Sequence, residues 1–392
     1  MTFQHTQKIQ VEFDYPVVFT RDLFGIDNPV FRSAFTRLGD AGRKRLMVFV
    51  DGGVAATHPD IMDRISSYCR AHRDVLESVR EPQVVSGGEG IKTNYRRLMK
   101  FVNRLLEFQM CRHSFVVVIG GGAVLDAIGF GVSLVHRGLR IIRVPTTVLS
   151  QCDSAVGVKN GMNLRRGKNA IGTFHPPFAV LVDSMFLSTL SFSNWIGGVS
   201  EAFKVALIKD AAFFHELCAQ AEALRERDIG VMEGVIERCA LLHLEHMRGS
   251  GDPFELGRAR PLDFGHWAAH KLECMTHYQV GHGEAVAIGI SLDSLYAAGK
   301  GWISRDDVDA ILHGLERCGF CLWHDAIARR RGDGRLEILG GLDDFQAHLG
   351  GELCIAMPDG VGNKQEVHVM IQEEVETACC RLAERCGVSL SA

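Results

Sequence analysis

Long apolar runs are missing from this chain of 392 residues. No stretch approaches the ~18 consecutive apolar residues that a membrane-spanning helix needs, so no membrane association is expected. The opening residues, MTFQHTQKIQ, are polar and lack the apolar centre of a secretory signal. Surplus positive charge is missing too, because the net charge is −4, and nucleic acid is not an expected partner. We therefore expect a cytoplasmic protein.

Regular cysteine spacing and internal repeats are absent as well. The 12 cysteines show no disulfide-like rhythm. The single C-x-x-C pair, Cys318 and Cys321, has no second pair at the spacing of a zinc site, so we interpret both as reduced cysteines on a helix. The composition is 46% hydrophobic and 23% charged, which is ordinary for a globular protein. The length suggests two domains.

The first half of the chain alternates short β-branched runs with helical patterns. Four such runs predict buried strands, and an acidic residue, a glycine or a proline follows each run. Strands separated by helices predict a parallel sheet that is covered on both faces. The predicted strands are Arg45–Val50, Ser114–Ile119, Leu139–Val144 and Phe178–Val182.

The second half has a different pattern. Strand-like runs nearly vanish after Phe186, and helical patterns dominate from Trp195 onward, with one lone strand predicted over Glu366–Ile371. We therefore predict a Rossmann-like α/β domain over residues 1–188 and an all-α domain over residues 189–392. The cleft between two domains is the expected place of the functional site.

The run from Ser114 to Gly122 combines a strand, three glycines and the start of a helix. Such a turn lets the backbone approach a pyrophosphate at a helix N-terminus. Leu125 stands where the usual fingerprint has its third glycine, so a simple tight turn is an equally good interpretation. Asp51 closes a neighbouring strand and could accept hydrogen bonds from a ribose, or it could be an ordinary strand-end cap.

Three segments carry side chains of the metal-ligand type. Glu201 and Lys204 are three residues apart on a predicted helix and share one face. His266 and His270 are four apart and also share a face, and His282 opens another segment. A carboxylate and two imidazoles with an open position can hold a catalytic zinc. The spacing does not decide which two histidines would bind, and the alternative is that all three are solvated or core histidines.

These segments together resemble the 3-dehydroquinate synthase superfamily, the sugar phosphate cyclases. The resemblance extends from about Asp51 to His282 with few gaps, and the motifs occur in the same order. The matching stretches are Ser86–Lys92, Gly120–Asp126, Val144–Thr147, Gly167–Asn169, Glu201–Lys204, Gly265–His270 and His282–Glu284.

The resemblance implies two cofactors, NAD and zinc, with cobalt as an alternative metal, and it implies a sugar phosphate as substrate. It also implies a homodimer, because Arg137 is similar to an arginine that reaches the phosphate site of the partner subunit. His270 is similar to a histidine near the substrate phosphate. The implied metal ligands are Glu201, His266 and His282. The other implied catalytic or substrate residues are Asp126, Lys159, Asn169 and Lys204. The implied NAD-binding residues are Asp51, Glu89, Lys92, Gly120, Gly121, Gly122, Asp126, Thr146, Thr147, Lys159, Lys168, Phe186 and Thr189.

The implied reaction is that of a carbon–oxygen lyase acting on phosphates, with no net redox change. NAD accepts a hydride from one carbinol, phosphate leaves by elimination, and the hydride returns. The ring then opens, and an intramolecular aldol step closes a carbocycle. The metal holds and polarises the alcohol oxygens of the substrate.

The sequence departs from authentic 3-dehydroquinate synthases where those enzymes hold the substrate carboxylate. They use a lysine and an arginine ahead of the first zinc histidine, and counting back from His266 puts Glu245 and Ala259 at these positions. A glutamate there disfavours a carboxylate substrate. Arg258 and Arg260 flank the second position and could take its place by a local shift.

Two further stretches, Tyr15–Asn28 and Gly172–Pro177, are similar to the cyclases of sedoheptulose 7-phosphate, which make C7 cyclitols of the valiolone type. A third stretch, Arg260–His266, favours the 2-epi-valiolone synthase branch or the related cyclases of bacterial Ebo clusters.

Three alternatives stay open from the sequence. The first is 3-dehydroquinate synthase itself, which Glu245 and Ala259 disfavour. The second is a metal-dependent alcohol or glycerol dehydrogenase, in which Lys159, Gly167–Asn169 and Arg137 would have no phosphate to bind. The third is a binding protein that kept the fold without activity, which an intact metal triad argues against.

Overall fold

A seven-stranded parallel sheet is the framework of the first half of the protein in the computed structural model. The structure describes residues 2–9, 11–39, 41–164, 167–249, 254, 261–348 and 351–389. Its strands are β1 (Val17–Thr20), β2 (Lys44–Asp51), β3 (Leu76–Ser78), β4 (Gln83–Val85), β5 (Phe115–Gly120), β6 (Arg140–Pro145), β7 (Lys159–Leu164), β8 (Gly167–Phe174), β9 (Ala179–Asp183), β10 (Ile355–Pro358) and β11 (Lys364–Val367).

The helices cover both faces of this sheet and make up most of the second half. They are α1 (Val30–Thr36), α2 (Gly52–Thr57), α3 (Ile61–Ala71), α4 (Tyr95–Glu107), α5 (Gly122–Leu134), α6 (Phe192–Ile196), α7 (Val199–Lys209), α8 (Ala211–Ala219), α9 (Ala221–Arg225), α10 (Ile229–Gly249), α11 (His266–Met275), α12 (His282–Gly299), α13 (Arg305–Cys318), α14 (Gly340–His348) and α15 (Gln372–Arg385).

The central strands form because both of their faces are buried. In β2, Met47 and Phe49 belong to one hydrophobic core, whereas Val48 and Val50 belong to a second core on the other side of the sheet. Alternate side chains of a strand point to opposite faces, so a continuous apolar run suits a sheet covered on both sides. The four strands predicted from the sequence, now β2, β5, β6 and β9, each lie within one residue of the predicted bounds.

The strand order defines a crevice at one point of the sheet. The order is β1-β9-β6-β5-β2-β3, with β4 also paired to β2. After β2 the chain continues outward to β3 and β4, and it then returns to the other side of β2 as β5. Such a reversal opens a crevice at the carboxyl ends of the strands, which is where ligands bind in open parallel sheets. Asp51 ends β2 and Gly120 ends β5, so both lie at this point.

An antiparallel hairpin, β7 and β8, stands apart from the main sheet and was not predicted. Its register shifts between Met162 and Leu164. The hairpin carries three of the predicted site residues, Lys159, Lys168 and Asn169. Its sequence is rich in polar residues and glycine, so hydrophobic alternation gave no signal for a strand.

The second half is helical, as predicted, but a short hairpin adds to it. The lone strand predicted over Glu366–Ile371 shares only Glu366 and Val367 with the observed strand β11, and β11 pairs with β10 and so is not lone. The proposed domain boundary at residue 188 falls in the 3-10 helix Ser184–Thr189. Cys318 ends α13, whereas Cys321 lies beyond that helix, and both are free thiols. None of the helices in the described ranges is long and apolar enough to cross a membrane.

Candidate active site

The first turns of α7 place an ion pair in the interior of the protein. Glu201 is 0% exposed and Lys204 is 2% exposed, and the two side chains form an i, i+3 contact. Burial disfavours both charges, but their attraction is larger. The pKa of Lys204 is therefore raised above its ordinary value, and the pKa of Glu201 is held well below it. Both groups are charged at neutral pH.

Two histidines from other helices meet Glu201. The Nε2 atom of His266 lies 3.6 Å from Glu201 Oε1, and the Nε2 atom of His282 lies 3.2 Å from the same oxygen. His266 begins α11 and His282 begins α12, so the starts of three helices converge. The rings of His266 and His282 are 5.5 Å apart.

Two glycine contacts allow this convergence. A Cβ on Gly283, next to His282, would lie 2.1 Å from the carbonyl oxygen of Gly197, just ahead of α7. A Cβ on Gly289 would lie 2.0 Å from the carbonyl oxygen of Gly265, next to His266. Any larger residue at Gly283 or Gly289 would force the helices apart. The glycines therefore bring the histidines within reach of Glu201.

The residues Glu201, His266 and His282 fit a divalent metal ion. Each offers a ligand atom, and these three atoms lie within 4.8 Å of one another. Both carboxylate oxygens of Glu201 are buried. Oε2 contacts the Lys204 ammonium, whereas Oε1 faces His266 and His282 and forms no hydrogen bond of good geometry with a described residue. A buried carboxylate oxygen in this condition is costly, and a divalent cation between Oε1 and the two imidazoles would satisfy it. One carboxylate and two imidazoles match the ligands of a catalytic zinc site.

A second group, formed by His270, Glu273 and His282, also has the spacing of metal ligands. Here the ammonium group of Lys168 already lies beside the possible ligand atoms. Lys168 Nζ lies 2.7 Å and 2.9 Å from the two oxygens of Glu273 and 3.4 Å from His282 Nδ1. We therefore interpret this group as a protein ion pair and not as a second metal site.

Glu273 is a residue that the sequence analysis missed. It is 4% exposed, and its Oε2 atom lies 3.1 Å from His282 Nδ1. Burial disfavours its charge, but His282 and Lys168 outweigh burial and hold the pKa of Glu273 far below its usual range. A sequence signal existed, because His266, His270 and Glu273 recur on one face of a helix at a spacing of four and then three residues.

His270 completes the group of histidines. Its ring is 5.2 Å from that of His266 and 5.9 Å from that of His282. Burial and the neighbouring His266 and Lys168 hold the pKa of His270 well below its ordinary value. The imidazole is therefore neutral at neutral pH and offers one hydrogen-bond donor and one acceptor to a bound molecule.

Asp153 and His243 are a second pair that the sequence analysis missed. Asp153 lies in a short π-helical turn, Ser150–Ser154, and its Oδ1 atom is 2.6 Å from His243 Nδ1 on α10. Burial raises the pKa of Asp153, but Lys204 and His243 outweigh burial and lower it to about 2. Asp263 is a further anion near Lys204. Carboxylates therefore surround Lys204 on several sides.

The structure corrects the expectation for Glu245. Glu245 follows His243 by two residues, which turns it about 200° around α10, away from the side that meets Asp153. Its side chain is exposed, and its charge acts on Lys209 at the end of α7. The α10 residue that meets Asp153, close to Lys204, is thus His243. The placement of Glu245 at the carboxylate position is wrong. Arg258, Ala259 and Arg260 lie outside the described residues.

The carboxyl edge of the sheet gathers most of the residues that the resemblance assigned to NAD. Asp51 Oδ1 accepts a hydrogen bond of 2.8 Å from Gly53 N and caps α2. A Cβ on Gly120 would lie 3.0 Å from Asp51 Cβ, so the ends of β2 and β5 touch. Gly121 leads into α5, whose first residue is Gly122. The residues that follow the other strands at this edge are Thr146, Thr147, Phe186 and Thr189.

Lys92 joins this edge to the hairpin. It is 2% exposed, and its Nζ atom donates a hydrogen bond of 2.7 Å to Asp126 Oδ2 and another to Asn169 Oδ1. Glu89 accepts a hydrogen bond of 2.7 Å from Asn163 Nδ2 on β7. The structure thus brings Glu89, Lys92, Asp126 and Asn169 into one network.

Two further predicted site residues have exposed side chains. Lys159 begins β7 with an exposed side chain. Arg137 is also exposed and has no ion pair with any residue in the described ranges. It lies in a left-handed turn with φ values of 51° at His136, 66° at Arg137 and 113° at Gly138. Such a conformation is unfavourable for residues other than glycine, so the backbone of this turn is strained at His136 and Arg137.

Asp293 stabilises the segment around His266, and its effect should depend on pH. It accepts hydrogen bonds of 3.0 Å from Gly265 N and 2.8 Å from Trp267 Nε1, and burial raises the pKa of Asp293 to about 7. The stability that Asp293 contributes is therefore complete below its ordinary pKa of 3.8 and is lost as the pH rises through about 7. Asp293→Asn should destabilise the protein more at about pH 5.5 than at about pH 8. Urea unfolding of both proteins tests this, and a difference that grows with pH would contradict it.

Two family models match the chain. The model for the 3-dehydroquinate synthase N-terminal region matches residues 83–196, and the model for the C-terminal region matches residues 198–332. The 3-dehydroquinate synthase of Alkaliphilus metalliredigens is 31% identical over 341 residues, which cover 86% of this chain and 90% of that one.

Two solved structures share the fold. One is the 2-epi-5-epi-valiolone synthase of Streptomyces hygroscopicus with NAD+ and Zn2+ bound, which is 27% identical, with 97% of this chain and 99% of that one covered and a TM-score of 0.85. The other is a 2-deoxy-scyllo-inosose synthase with carbaglucose-6-phosphate, NAD+ and Co2+, which is 20% identical, with 93% and 96% covered and a TM-score of 0.72.

The fold and the site define a class of enzyme. The carboxyl edge of its parallel sheet suits a dinucleotide, and this edge meets a helical region that presents a carboxylate and histidines. The chain belongs to the 3-dehydroquinate synthase family. It is a sugar phosphate cyclase of that family, and the expected fold and family are confirmed.

Proposed function

We propose that this protein is an NAD- and zinc-dependent cyclase that converts sedoheptulose 7-phosphate into a valiolone-type C7 cyclitol with release of phosphate. The observation that carries the proposal is the buried group of Glu201, His266 and His282 beside Lys204. When bound, the metal supplies Lewis acidity to the substrate's alcohol oxygens, and NAD supplies a transient hydride acceptor.

The residues around this group have separable tasks. The Lys204 ammonium donates hydrogen bonds to substrate oxygens beside Glu201. The neutral imidazole of His270, beside His266 and His282, forms hydrogen bonds near the phosphate. Asp51 and the glycines at the end of β5 hold the ribose and the pyrophosphate of the dinucleotide. Lys92, Asp126 and Asn169 connect that edge to the substrate.

The charge balance supports a substrate without a carboxylate. Glu201, Asp153 and Asp263 all stabilise the Lys204 ammonium. These described carboxylates would repel a further carboxylate, whereas their oxygens accept hydrogen bonds readily from the hydroxyls of a polyol. The likeness to the 2-epi-5-epi-valiolone synthase over 97% of this chain supports the same substrate class.

A second candidate function is 3-dehydroquinate synthase. Relatives that bear this name are 31% to 36% identical to the chain over 341 and 256 residues, respectively. In that case a carboxylate substrate would need a cation that the described residues near Lys204 do not supply.

A comparison of two substrates tests the proposal. We expect sedoheptulose 7-phosphate to be used with a higher kcat/KM than 3-deoxy-arabino-heptulosonate 7-phosphate, because the described carboxylates around Lys204 would repel the carboxylate of the latter. The loss of a charged pair costs ~2–5 kcal/mol, which corresponds to roughly 30-fold to several thousandfold in kcat/KM. Both compounds are assayed on one preparation by phosphate release, with the carbocycle identified by NMR.

The same assay separates the alternatives. Equal use of both compounds, or preference for the carboxylate, would contradict the proposal and favour 3-dehydroquinate synthase. Phosphate release should proceed without build-up of NADH, because the hydride returns within one turnover. Stoichiometric NADH would identify a dehydrogenase.

A further inference from the structure

Glu273 joins two parts of the site that are distant in the sequence. Its carboxylate is buried on α11 and contacts His282 Nδ1 at 3.1 Å through Oε2. Lys168, on β8 of the hairpin, contacts both oxygens of Glu273 at 2.7 Å and 2.9 Å. The side chain of Lys168 is only 15% exposed. A buried ion pair thus ties the hairpin to the helices that carry the histidines.

The chemistry of these neighbours determines which nitrogen of His282 carries hydrogen. A carboxylate only accepts hydrogen bonds and an ammonium only donates them. Glu273 is the closer neighbour of Nδ1, at 3.1 Å against 3.4 Å for Lys168, and Lys168 is already directed to Glu273. Nδ1 therefore carries the hydrogen and donates it to Glu273. Nε2, which lies 3.2 Å from Glu201 Oε1, is then the nitrogen that would bind a metal.

A different acceptor fixes the same tautomer in His266. Its Nδ1 atom lies 3.0 Å from the carbonyl oxygen of Phe264, which can only accept a hydrogen bond. Its Nε2 atom, 3.6 Å from Glu201 Oε1, is then also the nitrogen that would bind a metal. Both imidazoles thus present Nε2 to one point, but a backbone carbonyl fixes His266, whereas a side chain fixes His282.

We propose that Glu273 is a positioning residue that fixes the ring orientation and the tautomer of His282 for metal binding, and that Lys168 holds Glu273 in place. This inference rests on the proposed metal site and deepens it. Carboxylates that accept a hydrogen bond from a metal-binding histidine raise its basicity and restrict its orientation, and their loss typically weakens metal binding by about 10-fold to 100-fold.

The test measures zinc affinity and needs no substrate. The full chain, without NAD or sugar phosphate, is titrated against a zinc chelator as wild type and as Glu273→Gln. We expect zinc to bind about 10-fold to 100-fold more weakly to Glu273→Gln, because the glutamine amide can donate to Nδ1 and stabilise the wrong tautomer. The absorption spectrum of the cobalt-substituted protein should change in the same variant.

A matched control on the same helix is Lys271→Gln. It removes the ion pair of 2.9 Å with Asp344 at the surface, so zinc affinity should stay at the wild-type value. If Glu273→Gln does not fold, Glu273→Asp serves in its place, since it keeps the acceptor and the charge but is shorter. Its zinc affinity should lie below that of the wild type, and an unchanged affinity would count against the inference.

A double variant separates orientation from charge. In Glu273→Gln, Lys168 loses its partner and could repel a metal through its charge alone. If that were the whole effect, Glu273→Gln combined with Lys168→Gln would recover wild-type zinc affinity, and the inference would be overturned. Zinc binding that stays weak in the double variant supports orientation by Glu273. Equal affinity of wild type and Glu273→Gln would overturn this inference alone, whereas a wild-type chain that binds no zinc would overturn the proposed metal enzyme with it.

Discussion

His282→Ala should lose its zinc during purification and fall to roughly a thousandth of wild-type activity or less. Two protein ligands hold zinc far more weakly than three, and the remaining pair, Glu201 and His266, would leave an incomplete site. The buried Glu201 would keep Lys204 as a partner, so the fold should survive. Zinc content by elemental analysis and phosphate release are the two measurements.

His270→Ala is the matched control for this prediction. His270 faces the same group but lies outside the set that includes Glu201, so zinc content should stay near one per chain while activity falls. The two variants together decide which histidines bind the metal, which the spacing of the sequence left open. Full zinc content in His282→Ala, or loss of zinc in His270→Ala alone, would show that the ligand set is wrong.

Arg137→Ala should be nearly inactive if Arg137 completes the site of a neighbouring subunit. The resemblance implies this role, and the structure adds that Arg137 is exposed, lacks an ion pair among the described residues and lies in a left-handed turn. Strained turns of this kind persist where a function requires them. Phosphate release by the purified variant measures the effect.

Mixed dimers test whether Arg137 acts across the interface. Arg137→Ala and Lys204→Met are each inactive alone, but a mixed dimer contains one site with both residues intact. Random mixing makes about half of the dimers mixed, so activity should recover to about a quarter of the wild-type value. Each variant mixed with itself is the control. No recovery in mixed dimers verified by mass would place Arg137 in the site of its own subunit.

The sequence was sufficient for four of the seven strands of the main sheet, but not for β1, β3 and β4, and it was sufficient for the spacing of residues on single helices. Continuous apolar runs predicted β2, β5, β6 and β9, because burial on both faces leaves a strong local signal. The spacing of Glu201 and Lys204 predicted a shared face, and the two side chains do meet. Such features depend on neighbours only a few residues away, so a period of two or of 3.6 reveals them.

The polar hairpin β7–β8 could not be predicted from hydrophobic periodicity. Its strands pair with each other and stand apart from the main sheet, so no hydrophobic face marks them. Lys168 and Asn169 were assigned through the resemblance, whereas their contacts with Glu273 and Lys92 depend on how the hairpin folds back. Pairing between distant segments has no local sequence signal.

The chain by itself thus determined the family, the four central strands of the sheet and the residue types of the metal group. Only the tertiary structure decided which groups meet. Glu273 contacts His282 and Asp153 contacts His243, whereas Glu245 belongs to neither pair and acts on Lys209. Counting back from His266 assumed an ungapped match, but the direction of a side chain on α10 depends on helical rotation. Side chains two positions apart on a helix point in nearly opposite directions. A small error in alignment therefore moves a charge from the site to solvent.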